Sequence, residues 1–327
     1  MFEAQVEHGS LWKKLIECIT EMVTEANFDC SPGGISIQAM DTSHVALVHL
    51  LLIAEGFVSY SCEHNSLLGV NMTSLAKVLK ITENQDKMTL RHETDSDVLV
   101  VATQNSDQVR VCEHQMKLKK IEAFLLDIPE MDYRATVSFS SAEYAKIVRD
   151  MYVYGDTVNI QVDREGVKFS SSGAIGKGFV LLRVSGGGAR PEVVSVKSEA
   201  KRKNDGVMAE AVDDDEAPLE KKVKREPGTA KGADGEGGGG SGRSIPVEVC
   251  AKEPVSLSFA LLFLNMFAKG AALSDRVTMS FAKDTPCMVE FKLEGIGFLR
   301  YYLAPKEDVC VPPLRRRVGR AHHVRVQ

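Results

Sequence analysis

Four times along this chain a strand pattern leads into an amphipathic helix and then into further strand patterns, and that repetition limits the fold more than any other feature. In Ser10–Ala26, apolar Leu11, Leu15, Cys18, Ile19, Met22 and Val23 recur at the period of a helix lying on a sheet, with Ser10 placed to cap it. Strand patterns follow at Ile35–Met40 and Val45–Ile53. The order returns with strand Ala135–Phe139, a helix opened by a Ser140/Glu143 capping box, and strands at Val158–Val162, Val167–Phe169 and Phe179–Val184. A second pair also matches: Val70–Lys80 followed by Met88–Arg91 parallels Leu257–Lys269 followed by Val277–Ser280. The 327 residues suffice for two domains, each of two such units. The expected class is α+β, with helices on one face and antiparallel sheets on the other. Residues 1–118 and 135–310 form the domains, and 119–134 connect them.

One break interrupts the second half. From about Gly186 to Ser244 the periodicity disappears and Gly, Glu, Asp, Lys and Pro dominate, ending in Gly237-Gly238-Gly239-Gly240-Ser241-Gly242. Such a stretch cannot bury enough apolar surface to offset the entropy of ordering it, so 186–244 is expected to be a disordered insertion. After Lys306, Pro312-Pro313 leads to Arg315, Arg316, Arg317, Arg320 and Arg325 without an acid, and 311–327 is expected to be a flexible basic tail.

Several classes are disfavoured. The apolar run around Val45–Ala54 is broken by His49 and closed by Glu55-Gly56, well short of the roughly 20 residues of a membrane span, so no membrane partner is expected. Met1-Phe2-Glu3-Ala4 lacks the basic and apolar regions of a secretory signal, and a soluble intracellular protein is expected. The seven cysteines are scattered without a C-x-x-C and read as small buried hydrophobes; neither a metal nor another cofactor is expected. Gly173–Gly178 falls short of a phosphate loop, which would need Gly where Ser171 stands and Ser or Thr where Gly178 stands. Asp41-Thr42-Ser43-His44 juxtaposes triad residue types, but triads are assembled in space, not along the chain. With no G-x-S-x-G, H-E-x-x-H or H-x-E, an enzyme is not expected.

The net charge of −5 hides a division. Residues 186–244 hold 11 basic and 12 acidic residues, the tail carries +5, and the remaining body carries −9. Within that acidic body each helix places cations opposite its apolar stripe: Lys13 and Lys14, Lys77 and Lys80, Lys146 and Arg149, and Lys269. A solvated face explains any one helix. Four equivalent helices put these faces on the same side of the molecule, and a basic strip there suits a surface facing phosphates. Without an aromatic stacking platform, backbone contact to a duplex without sequence readout fits best.

Six segments are similar to the proliferating cell nuclear antigen family of eukaryotic DNA sliding clamps. They are Met1-Phe2-Glu3-Ala4, Ile37–Val45, Gly69–Ser74, Asp127-Ile128-Pro129-Glu130, Gly166–Ser170 and Tyr301-Tyr302-Leu303-Ala304-Pro305-Lys306. The resemblance covers 1–185 and 245–309 and implies the DNA-clamp fold, two domains each of two β-α-β-β-β units. It also implies a homotrimeric ring around double-stranded DNA, with the helix cations named above facing the duplex. The implied partners are delta-type DNA polymerases, a clamp loader, a flap endonuclease, DNA ligase and other proteins carrying a PIP-box peptide, in the nucleus. A monomeric nuclear adaptor that kept the peptide pocket but not the ring is the competing reading.

By the same resemblance, subunits meet through edge strands Val109–Lys117 (Val109, Arg110, Val111, Cys112, Glu113, His114) and Gly176–Arg183 (Lys177, Gly178, Phe179, Val180, Leu181). The peptide pocket comprises Met40, His44, Val45, Leu47, Leu126, Ile128, Tyr133, Pro286 and Tyr302, with Ala260, Ala304 and Pro305 where the peptide's Gln is held. Relatives often carry a modified lysine where this chain has Arg164, and an arginine cannot accept an isopeptide bond. Lys168 is a candidate substitute, as are Lys197 and Lys224, which sit in apolar-Lys-x-Glu patterns of the insertion. Lys221-Lys222-Val223-Lys224-Arg225 resembles a nuclear localisation signal.

Overall fold

The computed structural model describes residues 1–105, 107, 109–122, 131–184 and 245–306. The insertion and tail expected at 186–244 and 311–327 lie outside them, as do Leu126, Ile128, Lys197 and Lys224.

In chain order the elements are β1 (Phe2–Val6), α1 (Gly9–Thr20), β2 (Glu25–Ser31), β3 (Gly34–Met40), β4 (Ala46–Ile53), β5 (Ser59–Cys62), β6 (Ser66–Asn71), α2 (Met72–Ile81), β7 (Lys87–His92), β8 (Val98–Gln104) and β9 (Val111–Lys117). The second half repeats the order with β10 (Ala135–Ser140), α3 (Ser141–Tyr152), β11 (Thr157–Val162), β12 (Gly166–Gly173), β13 (Gly176–Arg183), β14 (Glu248–Ala251), β15 (Val255–Ala260), α4 (Leu261–Phe267), β16 (Arg276–Phe281), β17 (Cys287–Leu293) and β18 (Gly297–Leu303). A short 3-10 turn, Ala268–Ala272, extends α4.

The strands form three antiparallel sheets, ordered β5-β1-β7-β8-β9, β14-β10-β16-β17-β18-β4-β3-β2-β6 and β13-β12-β11-β15. The nine-stranded sheet is two sheets fused. Its β14-β10-β16-β17-β18 part is the second half's counterpart of β5-β1-β7-β8-β9, and its β4-β3-β2-β6 part is the first half's counterpart of β13-β12-β11-β15. The fusion is the antiparallel pairing of β18 with β4, from Gly297↔Leu52 to Leu303↔Ala46.

Alternation makes the core. In β4, Ala46, Val48, Leu50 and Leu52 are buried toward the helices, which meet them with Trp12, Leu15, Ile16 and Ile19 of α1. Trp12 stacks on Phe28 of β2 at 6.2 Å, and Phe267 of α4 stacks on Tyr301 of β18 at 4.3 Å.

Four local expectations are corrected. The first helix ends at Thr20, and Glu25–Ser31 is a strand: Val23 and Ala26 are buried, but in a turn and a strand. Ser10 does not cap that helix, whose N-cap is His8 without a side-chain bond. Ser140 is the N-cap of α3, but its side chain makes no capping bond either, so no capping box forms. In α1 to α4 alike the first donor is met from outside the helix, and α2 adds a side-chain cap, Asn71 Oδ1 accepting from Ser74 N at 2.8 Å. The first helical N–H is taken by a carbonyl of a distant loop: Gly9 by Asp86 at 2.7 Å, Ser141 by Asp275 at 2.9 Å, and likewise Met72 by Thr24 and Leu261 by Asp156, each at 2.9 Å. Lastly, the strand expected over Val109–Lys117 begins at Val111, because Asn105 and Arg110 bond each other across the loop mouth (Asn105 N to Arg110 O at 3.1 Å, Arg110 N to Asn105 Oδ1 at 3.0 Å).

Candidate functional site

The helical face carries all seven singled-out cations, but not in one state. Lys14, Lys77, Lys80, Lys146 and Arg149 are exposed and have no ion-pair partner among the described residues. Lys13 is committed elsewhere: its ammonium donates to the Thr82 carbonyl and, at 2.9 Å, to Asn84 Oδ1. Thr82 is the C-cap of α2, so Lys13 satisfies a helix-end carbonyl and complements the dipole there. Lys269 lies 3.4 Å from Glu17 and 3.6 Å from Glu21. The Glu17 hydrogen bond and the Glu21 charge raise its pKa above the ordinary lysine value. The expected basic strip is thus reduced to five free cations, and the same face exposes Val153 (66%) and Leu262 (50%).

On the sheet face opposite the helices, the strand register assembles rows from distant segments. Met40 of β3, Leu47 of β4, Tyr302 of β18 and Met288 of β17 stand directly opposite one another in sequence. They straddle the β4–β18 seam, with Leu47 and Tyr302 almost buried and Met40 and Met288 partly exposed. Ala304 donates its N–H to Val45 O at 3.1 Å, Pro286 precedes the Cys287↔Leu303 pair, and Lys306 N bonds Ser258 O at 2.7 Å, which brings Ala304 and Pro305 toward Ala260. Burial raises the hydroxyl pKa of both Tyr133 and Tyr302, and the nearby Tyr302 raises that of Tyr133 further. Met288 has no local signal in the sequence, because its partners are set by register.

The Asp41–His44 quartet is a turn, not a triad. Asp41 is buried and accepts from Ser43 N and Val45 N at 2.8 Å, from Ala46 N at 2.7 Å and from the Ser43 hydroxyl. Burial alone would raise its carboxyl pKa, but these four hydrogen bonds outweigh it and hold the value below the usual aspartate range. The turn forces His44 to φ 57, in the left-handed region, and so sets the rim of the Met40–Leu47–Tyr302 row.

One step further along the same face, Gln38, His49, Arg300 and Glu290 form a second row. Arg300 donates to the buried Glu290 carboxylate at 2.6 Å and lies 3.8 Å from the Phe298 ring centre. Burial, with the Arg300 charge as the lesser cause, pushes the His49 pKa down to about 4.

The strands expected to meet across subunits lie at sheet edges, with no pairing strand on their outer side among the described residues. β9 and β13 each end a sheet, and both alternate exposed and half-buried residues. Exposed apolar side chains gather there: Val109 (85%), Val111 (66%), Phe179 (54%) and Leu181 (43%). Arg110 and Glu113 pair within the chain, with Glu83 and Arg91, while Cys112, His114 and Val180 are partly buried and Lys177 is exposed. Gly178 lies against Tyr154, whose ring would be 2.3 Å from an added Cβ. Lys168, on neighbouring β12, rests over the Phe179 ring at 5.1 Å. Arg164 occupies the turn closed by Asp163, which accepts from Glu165 N and Gly166 N.

Two matched halves, helices on one face of the sheets, one sheet that runs through the seam, and edge strands β9 and β13 in the places of the seam strands β18 and β4 define a clamp-type protein. The N-terminal domain model of proliferating cell nuclear antigen matches residues 1–125, and the C-terminal domain model matches residues 127–202 and 242–306. The chain is 37% identical over 306 residues to the proliferating cell nuclear antigen of Chaetomium thermophilum, covering 94% of this chain and 98% of that protein. It belongs to the proliferating cell nuclear antigen family and is a DNA sliding clamp and processivity factor of DNA replication, not an enzyme.

Proposed function

We propose that three copies close head to tail into a ring around duplex DNA and that the β4–β18 seam docks PIP-box peptides. The carrying observation is topological. β18 and β4, which pair within the chain, are the internal counterparts of β9 and β13, which do not. Pairing β9 of one copy with β13 of the next repeats the seam between subunits, a heterologous contact that must close or polymerise. Carrying over the seam register sets Val111 opposite Leu181, Glu113 opposite Phe179 and Gln115 opposite Lys177, as Phe298, Arg300 and Tyr302 stand opposite Leu51, His49 and Leu47.

In this reading the helices line the hole. Lys14, Lys77, Lys80, Lys146 and Arg149 give loose, sequence-independent phosphate contact, strong enough to centre the duplex and weak enough to slide. The Met40–Leu47–Tyr302 row, with Val45, His44, Tyr133 and Pro286, accepts the apolar anchors, while Ala260, Ala304 and Pro305 present backbone groups to the Gln. Residues 1–118 and 135–310 act as domains about the 119–134 connector. The ring serves a replicative polymerase, clamp loader, flap endonuclease and DNA ligase in the nucleus, and Lys168 stands in for the missing lysine at Arg164. Light scattering on the full chain tests ring closure: three copies of 35.8 kDa give about 107 kDa. A species of 35.8 kDa at micromolar concentration refutes the ring and leaves a monomeric adaptor.

A further inference from the structure

We infer that phosphate contact alternates around the ring: at the seam within each subunit Glu17 and Glu21 hold Lys269 and repel phosphate, and phosphate binding concentrates at the junctions between subunits, where Lys80 of one copy comes beside Arg149 of the next. The inference rests on the reading of the helical face as the surface turned to the duplex.

At the internal seam, Lys269 follows α4, in the second half, and its ammonium lies 3.4 and 3.6 Å from Glu17 and Glu21 of the first half. One cation between two exposed carboxylates leaves a net charge of −1. An approaching phosphate meets a repulsive group and must strip the ammonium from both acids to bind it. Nothing else on α4 compensates: its sequence, Leu261–Phe267, contains no Lys or Arg, and its exposed positions are Leu262 and Asn265.

The junction between subunits repeats this geometry with different residues. Lys80 and Lys269 stand at the same distance along the chain from their N-caps, Asn71 and Ala260. Glu17 and Glu21 correspond in the same way, counted from His8 and Ser140, to Arg149 and Val153. When β9 pairs with the next copy's β13 as β18 pairs with β4, Lys80 therefore faces an arginine and a valine where Lys269 faces two glutamates. Neither Lys80 nor Arg149 has an ion-pair partner among the described residues. Two adjacent unpaired cations attract phosphate; the internal seam does not. Three such junctions would hold the duplex at alternate points of the sixfold pattern of seams.

Fluorescence anisotropy of the full-length ring with a short linear duplex, from 50 to 200 mM salt, tests this, with light scattering to show that each variant keeps its mass. Each phosphate-binding cation removed should lower the log–log salt slope by about 0.9, roughly a 3.5-fold affinity change over that range, and a substitution present in all three copies removes three of them, for about 2.7 and roughly 40-fold. Lys80→Gln and Arg149→Gln are expected to show this reduction, and Lys269→Gln a clearly smaller one. Glu17→Gln with Glu21→Gln should tighten binding and steepen the slope, and adding Lys269→Gln in that background should take back the steepening. A reduction from Lys269→Gln in the unaltered ring equal to that from Lys80→Gln overturns the alternation while leaving the helical face as the duplex-facing surface. No response from any of these variants overturns that reading and the alternation with it.

Discussion

Leu181→Glu should break the ring, and Val111→Lys in the same chain should restore it. The isolated chain leaves Val111 66% and Leu181 43% exposed on unpaired edges. Burying a whole Val or Leu side chain contributes about 1.5–3 kcal/mol, so covering these exposed fractions contributes about 1 kcal/mol each at every junction. Leu181→Glu removes the leucine share, strands part of the valine share and places a carboxylate against an apolar side chain, for a total of about 3 kcal/mol. That is a roughly hundredfold weaker junction. Because the ring needs three junctions, dilution should convert the variant from about 107 kDa to 35.8 kDa at concentrations where the parent remains whole. Light scattering over a concentration series reads this directly. Val111→Lys alone should dissociate similarly, since its ammonium would meet Leu181. The double variant places opposite charges across each junction and should recover most of the mass. A double variant no better than either single one would refute the register carried over from the β18–β4 seam, and a Leu181→Glu ring that survives at nanomolar concentration would refute the edge-to-edge junction itself.

Three further outcomes are expected. Leu47→Ser or Tyr302→Ala should weaken a PIP-box peptide at least about tenfold by calorimetry while the oligomer mass persists; unchanged affinity would remove the seam row from the pocket. Lys13→Gln should lower the unfolding midpoint by removing the ammonium at the Thr82 carbonyl, a helix-end interaction of about 0.5–1 kcal/mol, whereas Lys77→Gln should leave the midpoint alone and reduce duplex affinity. The His49 imidazole titrates near 4 in the folded chain and near 6.5 when unfolded, so the unfolded state binds the extra proton between those values. Stability should therefore be level above pH 6.5, fall as the pH drops through that window, and fall less in His49→Gln; identical urea midpoints for the two proteins from pH 6.5 down to about 4.5 would contradict the burial argument.

The helical face and the seam row differ in how much of them is legible along the chain. Lys14, Lys77, Lys80, Lys146 and Arg149 are readable because a helix turns its polar residues outward at a fixed period, whatever packs beneath it. Lys13 and Lys269 carry the same signal in the sequence, yet one caps α2 and the other is held by two glutamates. Their partners are 69 and 252 residues away in the chain, beyond the range of any local pattern. Met288 and Glu290 are hidden for a related reason: alternation marks which side chains share a face, but only register decides which strands stand beside one another.

The order of amino acids is enough to set the four strand–helix units and the buried side of each element, since these follow from the spacing of apolar side chains along a few turns or strands. It also determined the charged side chains available to each helix. Although Asn71 caps α2 locally, the tertiary structure supplied the partner of the first N–H in every helix, the carbonyls of Asp86, Thr24, Asp275 and Asp156, which come from loops outside the helix they meet. It alone decided that β4 and β18 fuse while β9 and β13 stay open, and that two of seven cations are engaged within the chain. A strand's edge looks the same in sequence whether or not it has a neighbour; its hydrogen-bonding groups lie on the backbone, which every residue shares.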